Sequence, residues 1–163
     1  MALYEKFGEF GSAGEINLLA ENLFNEGDME NILTLSRENG IPEEYAQMYI
    51  DGETEELTDA STAAIGKIEV EEADLNAKDI IYTDWISYIK AECMGNDRMA
   101  KAVRTKEKSL KGCIGAILKW AFAHQQPVDK EILQAAGVKA SRVTLGMPDK
   151  AVANRLIREY YGA

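Results

Sequence analysis

Residues 108–137 read KSLKGCIGAILKWAFAHQQPVDKEILQAAG, the most apolar helical text in the chain. Leu110, Cys113, Ile114, Ile117, Leu118 and Ala121 recur at three- and four-residue spacing, which predicts a helix over about 109–125 with one continuous apolar face. Gly112, Ala116 and Ala123 line the opposite side. Interior glycines such as Gly112 and Gly115 each cost roughly 1 kcal/mol relative to alanine, so close approach of another helix is expected on that side. Gln125-Gln126-Pro127 ends the helix, and Asp129 caps a second one through Ile132, Leu133 and Ala136 to Gly137. A helix packed on two faces implies an all-α, or nearly all-α, multi-helix bundle with this helix at its centre. The Gly112/Ala116 face is also a candidate contact for a homo-oligomer.

Working outward, Ile81, Trp85, Tyr88 and Ile89 predict a helix from about Asp79 to Met94. Gly95-Asn96 breaks it, and Asp97 can cap the next segment. There Arg98, Lys101, Arg104, Lys106, Lys108 and Lys111 form a candidate basic ridge for a partner or nucleic acid. After a turn at 138–148, Val152, Leu156, Ile157 and Tyr160 mark a last helix. Only residues 142–145 hint at a strand. In the first half, residues 1–11 read as an arm, and Ser12-Ala-Gly-Glu15 is a capping box. The helix it opens carries Ile16, Leu19, Ala20, Leu23 and Phe24 on one stripe. Asp28 caps a second helix with Ile32, Leu33 and Leu35, and Pro42 opens a third with Tyr45, Met48 and Tyr49 facing inward.

Residues 51–74 hold two acidic clusters, Glu53, Glu55, Glu56 and Asp59, then Glu69, Glu71, Glu72 and Asp74, around Ala63, Ala64 and Ile65. This segment reads as a connector with one short helix. The expected organisation is therefore an acidic three-helix module (1–52), an acidic connector (53–76) and a helical core domain with the basic ridge (77–163).

The net charge of −10 is unevenly spread. Residues 1–75 carry 19 acids against three bases, and residues 76–163 carry nine acids against 15 bases. A chain polarised in this way either folds its halves against each other or presents two faces of opposite sign. Cys93 and Cys113 are too few for a disulfide framework and read as buried thiols. The single histidine, His124, has no nucleophile beside it, and no phosphate loop or paired metal-ligand spacing occurs. The expectation is a non-enzymatic protein without metal or cofactor. No apolar run is long enough to span a membrane and MALYEKFGEFG lacks a signal pattern, so a cytoplasmic location is expected.

Two nucleic-acid readings remain. The basic ridge could hold phosphates. Residues 131–144, EILQAAGVKASRVT, are similar to a bacterial helix-turn-helix, although Gly146 and Pro148 hold its second helix under two turns, too short to lie well in a major groove. The acidic clusters, conversely, could imitate a phosphate backbone and enter a basic channel on a partner.

Ser109-Leu-Lys-Gly-Cys113-Ile, Ile117-Leu118-Lys-Trp120-Ala, Asp129-Lys-Glu-Ile132 and the terminal Tyr160-Tyr161 resemble the PcfK-like group of Gram-positive mobile elements. That group includes anti-CRISPR inhibitors of the type II RNA-guided nuclease. The resemblance covers about a third of the chain, and its motifs are packing motifs. It implies an inhibitor that binds the CRISPR effector nuclease or its guide RNA complex. The alternative is a mobile-element accessory protein for DNA binding or conjugation.

Overall fold

Ser12, Asp28 and Asp129 open helices where the sequence places them, Asn96 takes the place expected of Asp97, and Pro42 stands one residue ahead of the helix it was expected to begin. The computed structural model describes residues 3–76 and 80–163, and among these lie nine helices and one two-stranded ladder. Ser12 Oγ accepts from Glu15 N at 3.1 Å to start α1 (Ala13–Glu26), while the Glu15 carboxylate accepts from Gly11 N at 2.7 Å. Asp28 starts α2 (Met29–Glu38), and Pro42 precedes α3 (Glu43–Ile50). Asp59 caps α4 (Ala60–Ala73) through Thr62 N at 2.7 Å. α5 spans Ile80–Gly95; its expected start at Asp79, like the domain boundary at residue 77, lies outside the described residues. Asn96, not Asp97, caps α6 (Asp97–Arg104): it is the extended residue before the helix, and its Oδ1 accepts from Met99 N at 3.2 Å. Ser109 starts α7 (Leu110–Ala123), and Asp149 starts α9 (Lys150–Tyr161). Between them stand β1 (Gln126–Pro127), α8 (Lys130–Ala135) and β2 (Thr144–Leu145), with Gln126 opposite Leu145 in an antiparallel ladder. The fold is all-α apart from this pair.

Two cores form. The first gathers Ile16, Ala20, Leu23, Ile32, Leu35, Ile41 and Ala46 from α1–α3, with Leu57 and Ala63. The second gathers Ile89, Met99, Val103, Leu110, Ile117 and Ile157 from α5, α6, α7 and α9, with Ala64 and Ile68. Residues 60–73 thus form a 14-residue helix that enters both cores, where a connector with one short helix was expected. α4 buries Ala63, Ala64, Gly66, Lys67, Ile68 and Glu71. It has no apolar stripe because neighbours cover it almost all round. Gly66 meets the α2–α3 turn backbone to backbone: a Cβ there would lie 2.9 Å from the Gly40 carbonyl oxygen and closer still to that of Asn39. Gly40 itself takes a left-handed φ of 65°.

α3 is rotated from its expected face. Ala46 and Tyr49 are buried, and Tyr45 and Met48 point outward. The small Ala46 side chain lets the helix lie close to α2, while Tyr49 meets Phe24 edge to face at 5.7 Å. α7 is packed on two sides only over its first turns. There Tyr160 covers Gly112, a Cβ on which would meet the Tyr160 ring at 3.0 Å. Further along, Gly115 faces open space, and Leu118 and Phe122 are exposed.

Two outcomes follow from this packing. Gly66→Ala should destabilise the protein by about 3 kcal/mol, since neither backbone can yield. Gly115→Ala should instead stabilise it by up to about 1 kcal/mol, having only helix propensity to gain. Denaturant unfolding of both variants checks the contrast, and equal effects would contradict it. Burial also pushes the Cys93 and Cys113 thiols up to about 12, so a thiol reagent at neutral pH should label the native protein only as fast as it opens.

Candidate partner-binding surfaces

Many of the charges that the sequence marks as contact residues are used inside the fold. Lys67 is fully buried, and its three ammonium donors are all taken: Glu9 Oε1 at 2.6 Å, and the carbonyls of Thr105 and Lys108 at 2.8 Å each. One lysine therefore ties the N-terminal arm to α4 and closes the α6–α7 turn. Arg104 is 1% exposed. Its Nε donates to Phe10 O at 3.0 Å, its Nη1 to Ala63 O at 3.1 Å and its Nη2 to Asn39 Oδ1. Burial pushes its pKa down, opposed by Tyr4, Glu9 and Glu71, yet a guanidinium keeps its charge at neutral pH. Arg104 is a structural cation, turned inward from the expected ridge.

The rest of the ridge is also engaged. Arg98 donates to Gly162 O at 3.1 Å, Lys101 pairs with Asp97 at 2.6 Å, and Lys111 pairs with Asp74 at 2.6 Å. Lys108 donates to Tyr160 O at 2.6 Å and lies 4.8 Å from that ring's centroid. Tyr160 returns its hydroxyl as acceptor for Ser109 N at 3.0 Å, so the Gly112 end of the small-residue face is filled by the chain itself. Of the six ridge residues, Arg98 and Lys106 are exposed without an ion pair among the described residues, and Arg98 is held by its bond to the Gly162 carbonyl.

The two acidic clusters separate in the same way. Glu69 and Glu72 pair with Lys90 at 3.6 and 3.1 Å. Glu71 is buried beneath the start of α7, accepting from Leu110 N at 2.6 Å. Desolvation raises its pKa, against the pull of that N–H and of Lys67. With Asp74 on Lys111, the second cluster is spoken for. In the first cluster Asp59 caps α4, while Glu53, Glu55 and Glu56 are exposed with no cation at ion-pair distance among the described residues. Glu55, Glu56 and Asp59 line a groove of about 590 Å³ with Tyr45 and Met48, which are 41% and 37% exposed.

The residues between α7 and α9 form a surface that sequence reasoning missed. No side chain from 122 to 147 is buried. The strand pair, extended by Val128 N to Val143 O at 2.9 Å, holds α8 out as an arm. No helix occupies residues 138–147, and residues 144–145 are strand, so the helix-turn-helix reading lacks its recognition helix. Gly146 and Pro148 break the would-be helix, and pairing with β1 draws the segment into extended backbone. The available signal was the six-residue length of α8, too short to bury a face of its own. Among the described residues no group of three or more His, Cys, Asp or Glu side chains is placed to hold a metal ion, and no helix is long and apolar enough to cross a membrane.

Arg104→Met should cost about 3–5 kcal/mol, because it strands two buried carbonyls and the Asn39 amide oxygen. Lys101→Ala should cost no more than about 0.5 kcal/mol. Chemical denaturation of the pair distinguishes an inward Arg104 from a surface ridge; similar small losses would restore the ridge.

Comparison with known proteins returns no matching family model, no matching curated protein and no matching solved structure.

Proposed function

We propose that this chain is a non-enzymatic, cytoplasmic protein of the PcfK-like, mobile-element type. In this reading it inhibits a type II CRISPR RNA-guided nuclease by binding the nuclease or its guide RNA complex. The resemblance of residues 109–132 and Tyr160-Tyr161 to that group supplies the partner. The observation that chooses the contact surface is the freedom of Glu53, Glu55 and Glu56, set against the engagement of Glu69, Glu71, Glu72 and Asp74. An RNA-guided nuclease holds its heteroduplex in a positively charged channel through the nucleic-acid backbone. A groove rimmed by unpaired carboxylates can occupy such a channel and draw on electrostatic steering to reach it. The same inventory weakens the basic ridge as a contact, since Arg104 is buried and, Lys106 apart, its neighbours are held by ion pairs or backbone carbonyls.

The alternative, an accessory DNA-binding or conjugation protein, rested on the ridge and on a recognition helix. Neither has support in the geometry.

A DNA-cleavage assay with purified protein and guide-loaded type II nuclease tests the reading. Substoichiometric nuclease should lose cleavage or target binding in the presence of the wild-type chain. The triple variant E53Q/E55Q/E56Q should need at least about tenfold more protein for the same inhibition, equivalent to about 1.4 kcal/mol, with unchanged thermal stability. R98Q/K101Q/K106Q should inhibit normally. Complete cleavage at excess wild-type protein would sink the proposal, and loss confined to the basic variant would move the contact to the other face.

A further inference from the structure

Two surfaces of opposite chemistry are left without partners, and each has what the other lacks. The first is the groove between α3 and residues 54–62, with Tyr45 and Met48 exposed in its lining and Glu55, Glu56 and Asp59 around them. The second is the arm between α7 and α9. Ile132, Leu145 and Met147 on the arm are 61%, 66% and 49% exposed. Lys130 lies just before Ile132, and Lys139 and Arg142 lie between Ile132 and Leu145; all three are exposed, with no carboxylate at ion-pair distance among the described residues. Lys106, Lys119 and Lys150 are likewise exposed and unpaired among the described residues, so what distinguishes the arm is three such cations beside exposed apolar side chains.

Exposed apolar side chains interspersed with unpaired charge are the composition of a protein interface, with its apolar centre and polar rim. Nucleic acid would be a poor match, because Ile132, Leu145 and Met147 offer no aromatic platform for bases. An acidic surface that also exposes apolar side chains would satisfy both components at once, and the chain itself carries one. We propose that the basic arm of one copy docks in the acidic groove of a second copy, so that the protein self-associates head to tail. The contact joins two different patches, so each added copy leaves one free groove and one free arm. Because charge pairs rim it, association weakens as salt screens them.

Sedimentation velocity of the full chain across a concentration series, at low and high salt, tests this without any nuclease, so its outcome is independent of the proposed function. The average mass should rise with concentration at low salt and fall back toward the single chain at high salt. Two variants then identify the faces: I132S/L145S on the arm and E55Q/E56Q on the groove. Each should remain a single chain alone, and an equimolar mixture should form a one-to-one dimer through the intact arm of one and the intact groove of the other. K130Q/K139Q/R142Q replaces the arm variant if I132S/L145S shifts the unfolding midpoint. A single chain at every concentration and salt would overturn the proposal. So would association that the groove variant does not weaken, or a mixture that fails to dimerise.

Discussion

The fold hangs on the buried ammonium of Lys67. It holds Glu9 of the arm and the Thr105 and Lys108 carbonyls in one dry site, with no donor left over. A charge removed from water is tolerated only when its partners replace hydration completely, and removing one partner then costs several kcal/mol. Arg104 repeats the arrangement one step away, bridging the Phe10 and Ala63 carbonyls and the Asn39 side chain. Together the two cations connect the arm, the α2–α3 turn, α4 and the α6–α7 turn. The apolar cores lie on either side of this seam and could not set its register, because burial of Ile68 or Leu35 is non-directional. The hydrogen bonds of Lys67 and Arg104 have direction, and they fix how the two cores meet.

The polarised charge of the sequence finds its explanation at the same seam. Arg104 reaches out of the basic half into the acidic one, while Glu71 and Asp74 reach back to Leu110 N and Lys111. Glu69 and Glu72 converge on Lys90 from α5. The halves fold against each other, which is one of the two arrangements that such a distribution permits. Their neutralisation is incomplete: Glu53, Glu55 and Glu56 are among the acids left over, and Lys130, Lys139 and Arg142 are among the bases.

What could be read in advance depended on how many sides of a helix are covered. α1 and α9 each bury one face, so Ile16, Ala20 and Leu23, and Ile157, stand out by spacing alone. The capping residues Ser12, Asp28 and Asp129 are local chemistry and equally legible. α4 was not, because Ala, Gly, Lys and Glu take the places where Leu and Ile would make a stripe; Gly66 is there for a backbone contact and Lys67 for three carbonyl or carboxylate oxygens. α3 misled for the opposite reason: Tyr45 and Met48 fit an inner face by spacing, yet the smaller Ala46 permits the closer approach. The basic residues 98–111 share one side only if the whole segment is helical. The chain breaks at 105–109, which turns Arg104 inward and sends Lys108 and Lys111 to separate partners.

The candidate site follows from that same accounting of partners. A side chain that closes the seam cannot also be offered to another molecule without opening the fold, so Arg104, Lys67 and Glu71 are excluded from recognition by their energetics. Surface pairs such as Lys101 with Asp97 are weak enough to exchange, but a new partner gains little by competing for a charge already balanced. Glu53, Glu55 and Glu56 carry no such obligation, and neither do Lys130, Lys139 and Arg142. None of them has a counter-charge at ion-pair distance among the described residues, and exposed Tyr45 and Met48 accompany the first set as Ile132 and Leu145 accompany the second. Long-range attraction and short-range burial are therefore available at the same places, and binding there leaves the seam intact.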